Sequence, residues 1–261
     1  MAVGAGDSKI LSGIMSFLGQ VARLSALRPA MIFDAGGYFA YNGDFNMETV
    51  FYLVRHGQSL GNKNGVFLGH TDLDLSELGY IQAEKTAERL ADIHFDAIIS
   101  SDLIRAYNTA LPSARLRGMT IEKDRLLREI YAGEWENRSV ADLIKSYPEE
   151  YDSVWRHDIG HSRPNGGESF SELRLRVCSE IRRLSRLHPG QTILAATHAT
   201  PIRALYAEAC GIPDSLVSEK TTWAPNASVS LLRCDGRSMS FDFYGDDSHL
   251  PGIESVLPPN V

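Results

Sequence analysis

The feature that most constrains this chain is an alternation that runs from residue 50 to residue 244. Short apolar runs rich in β-branched residues alternate with longer segments of helical period. Residues 50–54, 96–100, 119–123 and 192–197 read as buried strands. Helices are expected from Ser76 to about Ile93, through Arg105, Ala106 and Thr109, from Ser139 to about Tyr147, and from Pro201 to Ala209. The clearest helix carries Phe170, Leu173, Val177, Ile181 and Leu184 in steps of three and four, and stops before Pro189-Gly190. Ser101 or Asp102 is placed to cap the helix bearing Arg105, and Pro112 should kink or end it. Residues 61–74 and 126–135 read as loops. Residues 227–233 and 239–244 read as two last strands joined by an Asp235-Gly236 turn. This alternation implies one α/β domain with a largely parallel sheet.

Chemistry-bearing residues stand where these strands end. The first strand stops at Arg55-His56-Gly57, with Asn62 shortly after. A charge, an imidazole and a glycine are poor core residues, but they suit the carboxyl edge of an open sheet, where ligands bind. Gly57 lets the backbone turn closely there. His198 follows a second strand, Arg105 lies in the helix after a third, and Glu129 sits in the loop after a fourth. All carboxyl ends of a parallel sheet share one edge, so His56, His198, Arg55, Arg105 and Glu129 can meet. Any one of them alone would read as a carbonyl-capping histidine, a surface arginine or a loop acid. Their joint occurrence at strand exits favours a site.

Bulk properties narrow the partners. A net charge of -7 argues against nucleic acid, which needs a basic face. A phosphorylated small metabolite can still be held by a local arginine cluster. Cys178, Cys210 and Cys234 are isolated, as expected of reduced thiols in a cytoplasmic compartment. Asn137-Arg138-Ser139 and Asn226-Ala227-Ser228 match the glycosylation pattern, but nothing else suggests secretion, so both read as coincidence. Oligomeric state is left open, a homo-oligomer included.

Residues 1–46 differ from the rest. Ile10, Ile14, Leu18 and Val21 recur at helical spacing, and no apolar stretch is long enough to span a membrane. This extension reads as an amphipathic docked helix, an Arg/Ser-rich targeting peptide, or sequence upstream of a start at Met47. The first and third readings are preferred. The main domain is expected over residues 47–245, with a peripheral tail from residue 246 to 261.

Several segments together carry a resemblance. They are Arg55-His56-Gly57-Gln58-Ser59 with Asn62, Arg105-Ala106-Tyr107-Asn108-Thr109, Leu127-Arg128-Glu129 with Gly133-Glu134-Trp135-Glu136, Gly167-Glu168-Ser169, and Thr197-His198-Ala199. In this order, across residues 49–233, they resemble the histidine phosphatase superfamily, also called phosphoglycerate-mutase-like. The resemblance implies a three-layer α/β sandwich with a mostly parallel mixed sheet flanked by helices. It makes His56 a nucleophile that forms a phosphohistidine. Arg55, Arg105, Asn62 and His198 would hold the phosphoryl oxygens, with the backbone at Ala199 close by. Glu129 would protonate the leaving group and then activate water. The arginines and His198 supply the positive charge, so no metal or other cofactor is called for. Gln58, Asn137 and Ala199 depart from the commoner Glu, Gly and Gly, and Ala199 bears on how closely backbone approaches phosphate.

Within that family the chain looks like the phosphatase branch. A mutase would carry an Arg-His-Tyr-Gly run after the acid and a longer insertion, whereas here Ile130-Tyr131-Ala132-Gly133 follows Glu129. A phosphoglycerate mutase and a catalytically silent phospho-ligand binder are the alternatives. No Gly-x-x-x-x-Gly-Lys-Ser/Thr loop is present, and Asp72-Leu73-Asp74 lacks the buried strand that an aspartate nucleophile needs. His157 and His161 have metal-pair spacing but no partner ligand nearby, so a surface or cleft role is preferred. Tyr131, Trp135, Tyr151 and Trp155, with Arg163, are expected either to line the cleft or to pack a lid.

Overall fold

The computed structural model describes residues 31–33, 39–41, 47–152 and 166–254. The chain divides into two units, Met1–Phe45 and Asn46–Val261. In the first, β1 (Met31–Phe33) pairs antiparallel with β2 (Phe39–Tyr41). The helix expected around Ile10 to Val21 lies outside the described residues.

The second unit contains β3 (Thr49–Arg55), β4 (Val66–Phe67), β5 (Ala97–Ser100), β6 (Ile121–Lys123), β7 (Arg138–Ser139), β8 (Thr192–Thr197), β9 (Val229–Cys234) and β10 (Met239–Asp246). Its helices are α1 (Leu60–Asn64), α2 (Glu77–Arg89), α3 (Ile104–Arg117), α4 (Val140–Ser146), α5 (Pro148–Asp152), α6 (Phe170–Leu187), α7 (Ala199–Ala209) and α8 (Val217–Lys220). Six strands form the main sheet in the order β10-β9-β3-β8-β5-β6. The pairs β3–β8, β8–β5 and β5–β6 are parallel, whereas β9 and β10 join antiparallel.

Strand pleating assigns the two faces. Phe51 and Leu53 point one way, into a core with Phe170, Leu173, Ile181, Ile202 and Leu205 from α6 and α7. Val54 points the other way, towards Leu90 after α2 and Ala110 and Ala114 of α3. The result is the expected three-layer sandwich. Burying each large apolar side chain contributes about 1.5–3 kcal/mol, so the helical layers clamp the sheet and hold its edge rigid. In α6, Phe170, Leu173, Val177, Ile181 and Leu184 are all buried, and a reciprocal Ser169–Glu172 capping box starts the helix.

The structure corrects several local expectations. Pro112 neither ends nor delimits α3, which continues to Arg117 and stops at Gly118 in the left-handed region. Ala106, Thr109, Ala110, Ser113 and Ala114 bury a continuous face, and this packing outweighs the one hydrogen bond that proline removes. Neither Ser101 nor Asp102 is the N-cap of α3; Leu103 takes that position, and Asp72 from a distant loop accepts the Ile104 N–H at 2.6 Å. Residues 61–74 are not simply a loop. Ser59 and Asn62 cap one another reciprocally and nucleate α1, and β4 pairs with β7 just beyond it. α2 stops at Arg89, before Ile93. Two 3-10 turns, Arg125–Leu127 and Gly133–Trp135, shape the stretch carrying Glu129. Beyond β10 the chain lies against α2, where Gln82 Nε2 donates to the Ile253 carbonyl at 2.7 Å and Leu250 is fully buried.

Candidate active site

Parallel pairing sets the two histidines side by side. Arg55 is in register with Thr197, and the His56 N–H donates to the Thr197 carbonyl at 2.9 Å. His56 and His198 are therefore the next residues out of adjacent strands, and their rings meet with centroids 5.1 Å apart. Both are buried.

The tautomer of His56 is set by its own chain. Nδ1 lies 2.7 Å from the Gly57 carbonyl, which can only accept, so Nδ1 carries the proton and Nε2 keeps its lone pair. Burial first, then Arg105 and Arg55, push its proton affinity well below the usual histidine range. Gly57 is required for close approach. A Cβ there would lie 2.6 Å from the Gly79 carbonyl oxygen of α2, and the Gly57 N–H donates to Thr109 Oγ1 at 3.0 Å. The His56 carbonyl is held by Asn226 Nδ2 at 3.0 Å and by the Ala227 N–H at 3.2 Å.

Arg55 and Arg105 are both buried, and both donate to main-chain carbonyls rather than to carboxylates. Arg55 Nη1 reaches the Ala224 carbonyl at 2.6 Å, while its buried Nε has no partner among the described residues. Arg105 Nη1 and Nη2 reach the carbonyls of Thr71 and Gly69 at 2.9 and 2.8 Å. Burial lowers each guanidinium to about 10, still charged at neutral pH, with Glu129 the largest opposing influence on both. Two buried cations without an ion-pair partner among the described residues make a site for an anion with several oxygens.

Asn62 is oriented by α1. Its Oδ1 accepts from the Ser59 N–H at 3.1 Å and from Asn226 Nδ2 at 3.2 Å, which leaves the Nδ2 amide as its outward donor. His198 Nε2 lies 2.9 Å from Ser101 Oγ, and its buried Nδ1 has no partner among the described residues. Burial and Arg105 hold this ring neutral as well. Glu129 is half-buried. Its Oε1 accepts the Ile130 N–H at 2.8 Å, and Oε2 faces the Thr200 N–H at 3.4 Å, so the carboxylate points at the start of α7. Ala199, buried, is the first residue of that helix, where main-chain N–H groups lack helical partners. The structure thus brings His56, His198, Arg55, Arg105, Asn62, Glu129 and Ala199 to one edge of the sheet.

Sequence reasoning missed three supporting residues. His70 donates from Nε2 to the Glu129 carbonyl at 2.8 Å, Ser101 contacts His198, and Asn226 bridges His56 to Asn62. All three are polar residues in short connections, with no periodicity to single them out. The Asn226 pattern is indeed no glycan acceptor, since that side chain is buried against His56. Asp102, unused as a cap, forms a bidentate pair with Arg128 at 2.6 and 2.7 Å. Asn137 occupies a left-handed backbone position, φ 63°, which glycine favours and asparagine tolerates.

The aromatic residues divide. Trp135 is fully buried and packs with Tyr147 and Tyr151, both at 5.9 Å between centroids, which is the packing role. Tyr131 is exposed, 5.2 Å from the His70 ring. Trp155, His157, His161 and Arg163 lie outside the described residues. Among the described residues, no group of three or more His, Cys, Asp or Glu side chains could hold a metal ion, and no helix is long and apolar enough to cross a membrane.

Comparison with known proteins agrees with this geometry. Residues 51–247 match the model of the histidine phosphatase superfamily, branch 1. Phosphoglycerate mutase-like protein 4 of Arabidopsis thaliana is 33% identical over 213 residues, covering 79% of this chain and 90% of that protein. Phosphoserine phosphatase 1 of Hydrogenobacter thermophilus is 33% identical over 185 residues, covering 71% of this chain and 86% of that one. The structure of Bacillus stearothermophilus YhfR superposes with a TM-score of 0.73 at 28% identity, covering 77% of this chain and 98% of its own. The expected family and fold are therefore both met: the chain belongs to branch 1 of the histidine phosphatase superfamily and is a histidine phosphatase.

Proposed function

We propose that this site hydrolyses phosphate monoesters of small metabolites in two steps, through a phosphohistidine on His56. The observation that carries the reading is the Nδ1–Gly57 hydrogen bond, which leaves His56 Nε2 unprotonated beside two buried arginines. In the first step Nε2 attacks phosphorus and the bond to the ester oxygen breaks. The Glu129 carboxyl gives its proton to the departing alkoxide. In the second step water attacks phosphorus, Glu129 takes a water proton, and the P–N bond breaks to release phosphate and restore His56.

Arg55, Arg105 and Asn62 supply donors to the phosphoryl oxygens, whose charge must be neutralised during transfer. When Ser101 donates to Nε2 of His198, that ring's proton sits on the unpartnered Nδ1, a further donor for the anion. The relative named as a phosphoserine phosphatase supports a small phosphorylated metabolite as substrate. Free cysteines at 178, 210 and 234 support a reducing, cytoplasmic-type setting.

Brief incubation with p-nitrophenyl phosphate followed by base quenching should yield an acid-labile phosphohistidine at position 56. His56→Ala should lose both label and turnover; undiminished turnover overturns the reading. Phosphate release should also dominate over isomerisation of phosphoglycerate. Rapid isomerisation primed by a bisphosphoglycerate, with little phosphate released, would establish the mutase alternative.

A further inference from the structure

We infer that Arg176, through its pair with Glu168, is a positioning residue that sets the aim of the Glu129 carboxyl. This rests on the assignment of Glu129 as proton donor. Glu129 sits on an irregular connection rather than on a helix or strand. A proton donor must be held within about 0.5 Å of its productive place, which a loop achieves only if its main chain is pinned to rigid elements.

Arg176 does that pinning. It lies in α6, an 18-residue helix packed along the sheet. Nη1 donates to the carbonyls of Leu126 at 2.7 Å and Arg128 at 3.1 Å, and Nη2 reaches the Glu129 carbonyl at 3.4 Å. Glu168 fixes the guanidinium in a two-point pair, Nε to Oε1 and Nη2 to Oε2, both 2.8 Å. Glu168 then holds the far end of the same connection. Its N–H donates to the Tyr131 carbonyl at 2.7 Å, and its Oε2 accepts the Tyr131 N–H at 3.2 Å. The connection is thus bracketed from Leu126 to Tyr131 by one fork-shaped pair. A planar guanidinium can serve Glu168 and three carbonyls at once, and an ammonium cannot. Other supports act on single residues of the connection: Thr197 Oγ1 and the His70 ring each hold one carbonyl, of Leu127 and Glu129, and Asp102 pairs with the Arg128 side chain.

A merely structural pair would slow every substrate alike. A pair that aims the acid would matter most where the leaving group needs a proton. The test is the single-turnover rate of His56 phosphorylation by phenyl phosphate and by p-nitrophenyl phosphate, which have similar shapes but different leaving groups. Arg176→Lys, and Glu168→Gln as a second variant acting from the other side of the pair, should slow phenyl phosphate ~10–100-fold, the scale of a misplaced catalytic group. Both should slow p-nitrophenyl phosphate much less. Added to Glu129→Gln, Arg176→Lys should cost little more, because the group it aims is gone. If Glu129→Gln is selective for phenyl phosphate while both pair variants slow the two esters equally, the inference fails and the proton-donor assignment stands. If Glu129→Gln itself shows no selectivity, the assignment fails and the inference with it.

Discussion

The His56 ring meets the His198 ring at 5.1 Å between centroids, and neither is placed to become a cation. Burial is the largest influence on both, and Arg105 acts on each in the same direction. Protonating either ring would add positive charge to a buried site that already holds two guanidiniums. The site is thereby arranged to accept negative charge, and the His56 ring is held neutral well below the usual histidine range.

A pH dependence of stability follows. The unfolded chain binds protons on these histidines near the ordinary value of 6.5, whereas the folded chain does so only well below it. Between those limits the unfolded state holds more protons, so stability falls as pH falls below 6.5. His56→Asn removes one of the two sites. Its unfolding free energy, measured by urea titration, should fall less steeply over that window, by up to ~1.4 kcal/mol per pH unit. An unchanged slope would mean that His56 takes up its proton as readily in the folded protein as in the unfolded chain.

Trp135 tests the difference between lining a cleft and packing beneath it. Its indole is fully buried in a cluster with Ala132, Leu143 and Tyr151. Trp135→Ala should destabilise the fold by about 3–5 kcal/mol, as large-to-small core changes do, and Trp135→Phe by much less. Unchanged thermal unfolding in the alanine variant, combined with a raised KM, would instead make this a substrate contact.

The sheet and its two helical layers were legible because their signals are local. Short continuous apolar runs gave β3, β5 and β8, and period-three-to-four spacing gave α6 nearly to its ends. The candidate residues at strand exits could be grouped from sequence because parallel pairing gathers those exits at one edge. Effects that depend on distant partners were not legible. Asp72 caps α3 from 32 positions away, and Asn226 reaches His56 across 170. The expectation that Pro112 could end its helix failed because proline's local cost is fixed by chemistry, while the compensating burial of α3 is decided by the tertiary structure.

Charge neutralisation at the site is assigned to Arg55 and Arg105, which donate to carbonyls and remain available to an anion. Phosphatase activity should therefore survive exhaustive chelation, followed by assay in metal-free buffer. Complete loss that one added divalent ion restores would move the neutralising role from the arginines to a metal.

Glu129 and Glu134 both lie in the connection after β6, and their surroundings distinguish them. Glu129 is half-buried with its carboxylate at the start of α7, whereas Glu134 is exposed in a 3-10 turn. A proton donor must reach the leaving oxygen, and losing one typically costs ~10²–10⁴ in rate. Glu129→Gln keeps the shape but has no proton of the right acidity to give. In steady state it should slow an alkyl phosphate such as β-glycerophosphate by that range and p-nitrophenyl phosphate far less, provided phosphorylation of His56 limits the rate. If dephosphorylation limits instead, both esters should slow alike and phosphoenzyme should accumulate, because the same carboxylate activates the water. Glu134→Gln should leave both rates close to those of the parent protein. Near-normal alkyl ester turnover in the Glu129 variant, with collapse in the Glu134 variant, would transfer the role to Glu134.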